Sequence, residues 1–304
     1  MAVTAPVKTS DFNAGFLTPE QAGPIFERAA QSSVAQSLAQ RVPLGINGTN
    51  VPYVTGQVTA NWVAEGAIKP ASKPSIGLKN LVPKKLTALV PVSAEVVRAN
   101  PGGFMQLITR QVGTAFAQAF DAAAFHGTNT PFTTYLDQTT NTQAIVAGAA
   151  NAGVYSGLIA GMAQLQASDQ ATKYKANGFA FDDVAETLFL GSYDTANRPL
   201  FIDSPLDDFT VPVSSGKLVG RRTYIGPGVA DNSVVGYGGD WSQAAWGAIG
   251  GISYKVSNEA SVTIDGNLVS AFENNLVLVL AEAEYAWLVN DTEAFVAYTN
   301  AIAS

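Results

Sequence analysis

Residues 53–92 read YVTGQVTANWVAEGAIKPASKPSIGLKNLVPKKLTALVPV, and the reading of the whole chain turns on them. The segments at 53–68 and 75–92 are rich in Val, Thr, Ile and Leu and predict two extended strands. KPASKP, Lys69 to Pro74, predicts the turn between them. Gly77 and Pro83 predict strands that are irregular or exposed. About 16 residues per strand at ~3.3 Å each give an arm roughly 50 Å long. A compact chain of this size has a radius of gyration near ~19 Å, so the arm is expected to reach past its own body. A lone two-stranded hairpin is marginal in water, so this one needs a neighbour to lie on.

Charge placement points the same way. Five of the ten lysines lie in the stretch: Lys69, Lys73, Lys79, Lys84 and Lys85. No Asp or Glu occurs between Glu65 and Glu95. Residues 182–208 instead hold Asp182, Asp183, Glu186, Asp194, Asp203, Asp207 and Asp208 against the single Arg198. A basic arm and an acidic body suit contacts between copies. The bland reading is an ordinary solvated basic hairpin.

Around this arm the elements follow from local signals. Residues 1–17 read as a flexible arm. Thr18, Pro19 and Gln21 have the pattern of a helix start, and the helix is expected to run to about Gln40. Residues 100–126 predict the longest helix, with Asn100 as cap and Pro101 as first residue. Its inner face is expected to carry Phe104, Leu107, Ile108, Val112, Ala115, Phe116, Ala119, Phe120 and Ala123. Residues 154–168 and 183–196 predict helices, 234–257 strands and turns, and the terminal LVLVLAEAEYAWLV and AFVAYT strands.

Composition bounds the rest. Charged residues are 13% of the 304, against roughly 25% in an ordinary soluble domain. Apolar residues are 47%, and mean hydropathy is only +0.14. Such depletion of charge suits a surface partly buried in protein contacts, although a neutral β-rich protein has it too. The net charge of −7 argues against gripping nucleic acid by its phosphates. No stretch predicts a membrane span, and MAVTAPVKTSDFNAGF is no signal peptide. With no cysteine there is no disulfide or thiolate metal site, which fits a cytosolic product.

Catalytic signals are sparse. His126 is the only histidine, so a Ser-His-Asp triad would have to use it. It sits at a helix end without a nucleophile-elbow motif, and a dipole interaction is the expected role. Asp182-Asp183, Asp207-Asp208 and Glu282/Glu284 match no calcium or paired-carboxylate arrangement. GYGG and GAIGG lack a phosphate-loop lysine. No enzyme, cofactor or metal is expected.

Several pieces together resemble the Hong Kong 97-type major capsid family of tailed phages. They are WVAEGAIKPASKP, then KKLTALVPVSAEVVR, the helix ending FAQAFDAAAFHGTNTP, NRPLF, GGDW at 238–241, and VLAEAEYAWLVNDTEAFVAYT. Their order and spacing carry the resemblance, which covers nearly the whole chain and suits a phage of an actinobacterial host. It implies an α+β capsid fold with an N-terminal arm and helix (1–50), an extended loop (51–92), and a peripheral domain with a spine helix (93–130). An axial domain (131–265) and return strands of the peripheral domain (266–304) complete it.

The resemblance further implies a structural protein of the virion, assembled in the host bacterial cytoplasm. Its partners are itself, in hexamers and pentamers of an icosahedral shell around double-stranded DNA, with a portal, a separate scaffold protein and a decoration protein. Trp62, Glu65, Lys69, Lys73, Lys79, Lys84 and Lys85 would make the inter-subunit contacts, and Gly113 would either ease bending of the spine helix or leave room for a neighbouring element packed too closely for a methyl group. Some relatives form a covalent lysine–asparagine cross-link. Lys69 or Lys73 with Asn290 would be its residues here, but the bond is not expected and no catalytic residue is named. An encapsulin-like compartment with enzyme cargo, or a β-rich carbohydrate-binding or adhesin domain, is the alternative.

Overall fold

The computed structural model describes residues 33–56, 58–99, 103–146, 153–167, 174–192 and 214–300. In chain order the first half contains α1 (Val34–Leu38), β1 (Gln40–Arg41), β2 (Thr49–Gly56), β3 (Ser75–Leu81), β4 (Lys84–Ser93), α2 (Ala94–Ala99), α3 (Phe104–Phe125), β5 (Thr142–Ile145) and α4 (Gly153–Ala167). Then come β6 (Gly178–Phe181), α5 (Asp183–Leu190), β7 (Ser214–Leu218), β8 (Arg221–Ile225), β9 (Val234–Gly239), β10 (Ala244–Ser257), β11 (Ser261–Ile264), β12 (Asn267–Ser270), β13 (Leu276–Val289) and β14 (Phe295–Asn300).

Two sheets organise these elements. A four-stranded sheet has the order β1-β10-β13-β4, with β13 antiparallel to both long neighbours. A mixed six-stranded sheet has the order β5-β14-β9-β6-β8-β7. β2–β3 and β11–β12 are separate two-stranded hairpins.

β13 holds the first sheet because its apolar residues have a long partner on each side. Glu282 points outward between Lys85 of β4 (3.3 Å) and Lys255 of β10 (2.8 Å). These cross-strand bonds hold its carboxyl below the usual carboxylate range.

Helix α3 lies across both sheets. Its 22 residues give a rod roughly 33 Å long. Ile108, Val112 and Phe116 cluster with Val92, Ala281 and Ala283 of the four-stranded sheet and with Val96 of α2. Phe120, Ala124 and Phe125 enter the aromatic core of the six-stranded sheet, with Phe179, Phe181, Tyr237, Trp241, Phe295 and Tyr298. Phe120 marks the joint, meeting Tyr285, Trp287 and Trp246 edge-on at 5.5–6.4 Å between ring centres. The GYGG run is part of β9, not a phosphate loop. A side chain at Gly238 would put its Cβ 2.6 Å from the Phe179 ring and 2.8 Å from Tyr298, so only glycine lets these rings lie against the strand.

Several expectations are corrected. The two 16-residue strands do not form. β2 and β3 pair over only eight and seven residues, and 58–74 is irregular apart from a turn at Glu65–Gly66. Pro70 and Pro74 cannot donate to a ladder, and Ala64 to Lys73 has no partner strand. Pro83 separates β3 from β4, and β4 leaves the hairpin to pair with β13.

The helix expected to reach Gln40 does not: Ser33 is the extended N-cap of α1, which ends at Leu38, and Gln40 lies in β1. Its expected start at Thr18, with Pro19 and Gln21, lies outside the described residues, as do Asn100 and Pro101. α3 starts at Phe104 after Gly103 in the left-handed conformation. Ala115 and Ala119, expected inside, are exposed. The predicted helix at 183–196 stops at Leu190. β10 joins the four-stranded sheet with β13, whereas β14 lies in the six-stranded one.

Candidate assembly interface

The hairpin and its loop leave several large apolar side chains exposed. Trp62 and Ile68 are essentially uncovered at 106% and 94% exposure, and Val54, Val58, Ile76 and Leu78 are about two-thirds exposed. No further strand pairs with β2 or β3 among the described residues. Glu65, Lys69 and Lys73 are exposed on the irregular loop beside Trp62 and Ile68.

The other lysines divide into different roles. Lys79, expected at an inter-subunit contact, is bound within its own chain. Its Nζ donates to the Asn290 carbonyl and lies 5.3 Å from the centre of the Tyr53 ring. This ties the base of the hairpin to the end of β13. Lys85 is shared with Glu282, as above. Lys84 is exposed and has no ion-pair partner among the described residues.

Asn290 is engaged on both sides. Its Nδ2 donates to Gln243 Oε1 at 2.7 Å, and its backbone N–H to the Gln243 carbonyl at 2.7 Å. Lys69 and Lys73 are on the distal loop, and the hydrogen bonds of Asn290 go to Lys79 and Gln243 instead. The acids expected to receive the arm are only partly available for that. Asp182 caps α5 through Val184 N–H and accepts from the backbone N–H groups of Gly228, Val229 and Ala230. Asp194, Asp203, Asp207, Asp208 and the segment NRPLF lie outside the described residues.

His126 is the C-cap of α3. Its Nδ1 is 3.0 Å from Asp137 Oδ2 and 3.2 Å from the Tyr237 hydroxyl, which itself donates to Asp137 Oδ1. Burial first, and the Asp137 carboxylate second, raise the Tyr237 hydroxyl pKa. Asp231 brings a third ligand-type atom within 4.8 Å of those of His126 and Asp137. The His126 contacts are with a carboxylate and a phenol, not with a serine. The network ties the end of α3 to β9, a tertiary role beyond the dipole contact expected.

Asp121 was not singled out in the sequence, although FDAAAF puts a lone acid on the apolar face of α3. It is fully buried and receives the Ser33 hydroxyl at 2.6 Å, Val34 N–H at 2.9 Å and Ala35 N–H at 3.1 Å. It therefore caps α1 from a residue 86 to 88 positions away. Burial pushes its carboxyl up to about 6 against the pull of these donors.

Gly113 has nothing within 4 Å of where a side chain would start. Close packing by a neighbouring element is therefore not the reason for this glycine within the subunit.

Helix α3 thus spans both sheets, and the β2–β3 hairpin is paired with neither. The phage capsid family model matches residues 14–300. The chain belongs to the phage capsid family. A curated protein of Mycobacterium phage D29, described as a probable major capsid protein, is 39% identical over 292 residues, spanning 95% of this chain and 91% of that protein. A solved chain of Gordonia phage Cozz has a TM-score of 0.75 at 23% identity, covering 93% of this chain and 91% of that one. A chain from the capsid of an empty GTA particle, computed with C5 symmetry, gives 0.68 at 16%, covering 93% and 95%. The Hong Kong 97-type α+β capsid fold expected from the sequence is the fold of this chain, and these relatives include actinobacterial phages. The match is to capsid proteins, not to an adhesin or carbohydrate-binding domain.

Proposed function

We propose that this capsid protein is the major shell subunit of its virion, with copies arranged as hexamers and pentamers of an icosahedral shell around double-stranded DNA. Assembly takes place in the host cytoplasm on a separate scaffold protein, with a portal at one vertex and a decoration protein on the outside. The role is mechanical and assigns no catalytic residue. The observation that carries the reading is the uncovered hairpin. A monomeric protein rarely leaves a tryptophan and five aliphatic side chains exposed on one thin ribbon. Burying them on a neighbour removes that apolar area from water, at about 25 cal/mol per Å².

Within this reading Trp62, Glu65, Lys69, Lys73 and Lys84 make contacts between subunits. Lys79 and Lys85 hold the hairpin base and β4 in place. The acidic surface keeps the enclosed DNA from binding tightly to the wall.

The test is expression of the full chain with and without the phage scaffold, followed by negative-stain microscopy. Closed shells or capsomers are expected. A protein that stays monomeric at high concentration with scaffold present would overturn the proposal. Shells loaded with protein cargo in place of DNA in the infected host would favour a compartment. Lys69→Glu/Lys73→Glu should leave the subunit folded and misdirect assembly. Normal shells from it would remove these two lysines from the contact.

A further inference from the structure

An open pocket of about 330 Å³ lies directly beyond the hairpin base, between the last turns of α3 and the start of β4. Its walls are Leu86, Ala119, Phe120, Ala123, Phe132 and Tyr285, and Lys84 and Lys85 stand at its rim. An engineered apolar cavity of about 150 Å³ takes up a benzene ring. A space about twice that size has room for the two fused rings of an indole.

The chain carries one such uncovered group. Trp62 is fully exposed, whereas Trp241 and Trp287 are buried and Trp246 half-buried. It stands on the distal loop, beyond a ladder of eight residues, or roughly 26 Å of strand. The pocket sits at the opposite end of the hairpin, beside Lys84 to Leu86. Three residues after Trp62, in the exposed turn, is Glu65, the only acid between residues 49 and 92. Lys84 at the pocket rim has no ion-pair partner among the described residues. An aromatic group followed by an acid stands at one end of the hairpin, and an apolar pocket with lysines in its lining at the other. That is the layout of a head-to-tail contact between copies, which closes into a ring when the rotation permits.

We infer that Trp62 of one subunit inserts into the pocket formed by Ala119, Phe120, Ala123, Phe132 and Tyr285 of a second copy, with Glu65 reaching Lys84 at the rim. The inference rests on the shell reading above and names the receiving site. The indole fills space that α3 leaves open because Ala119 and Ala123 are small. Glu65 gives the contact direction and register, since an acid at the tip meets lysine at the base. The loop lysines Lys69 and Lys73, four and eight residues past Glu65, fall outside the pocket and are available to other parts of the neighbour.

The test uses assembled shells of the full chain with a benzophenone amino acid at position 62. Illumination is expected to give covalent dimers, mapped by mass spectrometry to residues 119–132, 84–86 or 285 of the second copy. Dimers mapped elsewhere, or cross-links only within one chain, overturn the inference while leaving the shell reading intact. Ala119→Phe, at an exposed helix position, is expected to lower the dimer yield at least tenfold by filling the pocket. A yield unchanged in shells of that variant also overturns the inference. A readout on the unmodified protein stands beside these. Iodide should quench Trp62 in the unassembled subunit and lose that access in shells. Equal quenching in both states overturns the contact, and failure of the wild-type chain to assemble with its scaffold overturns the shell reading itself.

Discussion

Replacing Asp121 by Asn should change how the subunit's stability depends on pH. Asp121 is fully buried where α3 meets α1, and its ionised form is favoured by three donors and disfavoured by the loss of water. Burial wins, and the carboxyl pKa rises from 3.8 to about 6. The sign follows from linkage. The folded state holds a proton that the unfolded state has already released, so this group favours folding most below pH 4. Its contribution then declines as pH rises from about 4 to about 6. At 1.36 kcal/mol per pH unit the loss is roughly 3 kcal/mol. Asn cannot ionise and lacks the slope. It also places an amide N–H₂ near Val34 N–H or Ala35 N–H, leaving a buried donor unpaired at about 1–3 kcal/mol. Urea denaturation of the unassembled wild-type and Asp121→Asn subunits at pH 4, 5, 6 and 7 measures both effects. The variant is expected to be clearly less stable at pH 4 and to recover by about 3 kcal/mol relative to wild type by pH 7. A difference independent of pH would refute the raised carboxyl. The opposite trend would mean that the three donors outweigh burial.

Gly113→Ala should stabilise the subunit by about 0.5–1 kcal/mol, since the added methyl meets nothing within 4 Å and alanine is the better helix former. Thermal melting checks this. Slowed or abnormal shell expansion in the same variant would support a bending role for the glycine, and normal expansion would end it. Lys79→Met should leave the global melting point within a few degrees of wild type but speed amide hydrogen exchange in Thr49–Gly56 and Ser75–Leu81, because the bond to the Asn290 carbonyl is lost. Unchanged exchange would show that Lys79 does not anchor the hairpin. Gly238→Ala should destabilise the six-stranded sheet by about 1–3 kcal/mol, as the methyl would collide with Phe179 and Tyr298. Wild-type denaturation of this variant would refute the packing argument.

The elements themselves were legible in the sequence wherever a residue's neighbours along the chain determine its conformation. The three-to-four spacing of Ile108, Val112, Phe116 and Phe120 requires a helix. The run LVLVLAEAEYAWLV requires a strand long enough to be central. The lysines and prolines of residues 69–85 mark an exposed extension low in acids. The order of these pieces along the chain was enough to point to a capsid fold. What the sequence left open was which strand meets which. Residues 75–92 alternate as one strand would, and nothing local tells that Pro83 hands the second half to β13, nearly 200 residues away. Lys79 reads like Lys69 and Lys73 until the fold brings Asn290 beneath it. Asp121 reads as a stray acid on an apolar face until Ser33, Val34 and Ala35 arrive with their donors. The pocket beside Lys84 exists only because α3, β4, β13 and the Thr128–Phe132 turn converge there. Helix and strand preference depend on bonds within a few residues, and a sequence carries these directly. Pairing, capping and pockets depend on contacts across tens to hundreds of residues, whose partners are chosen only when the whole core closes.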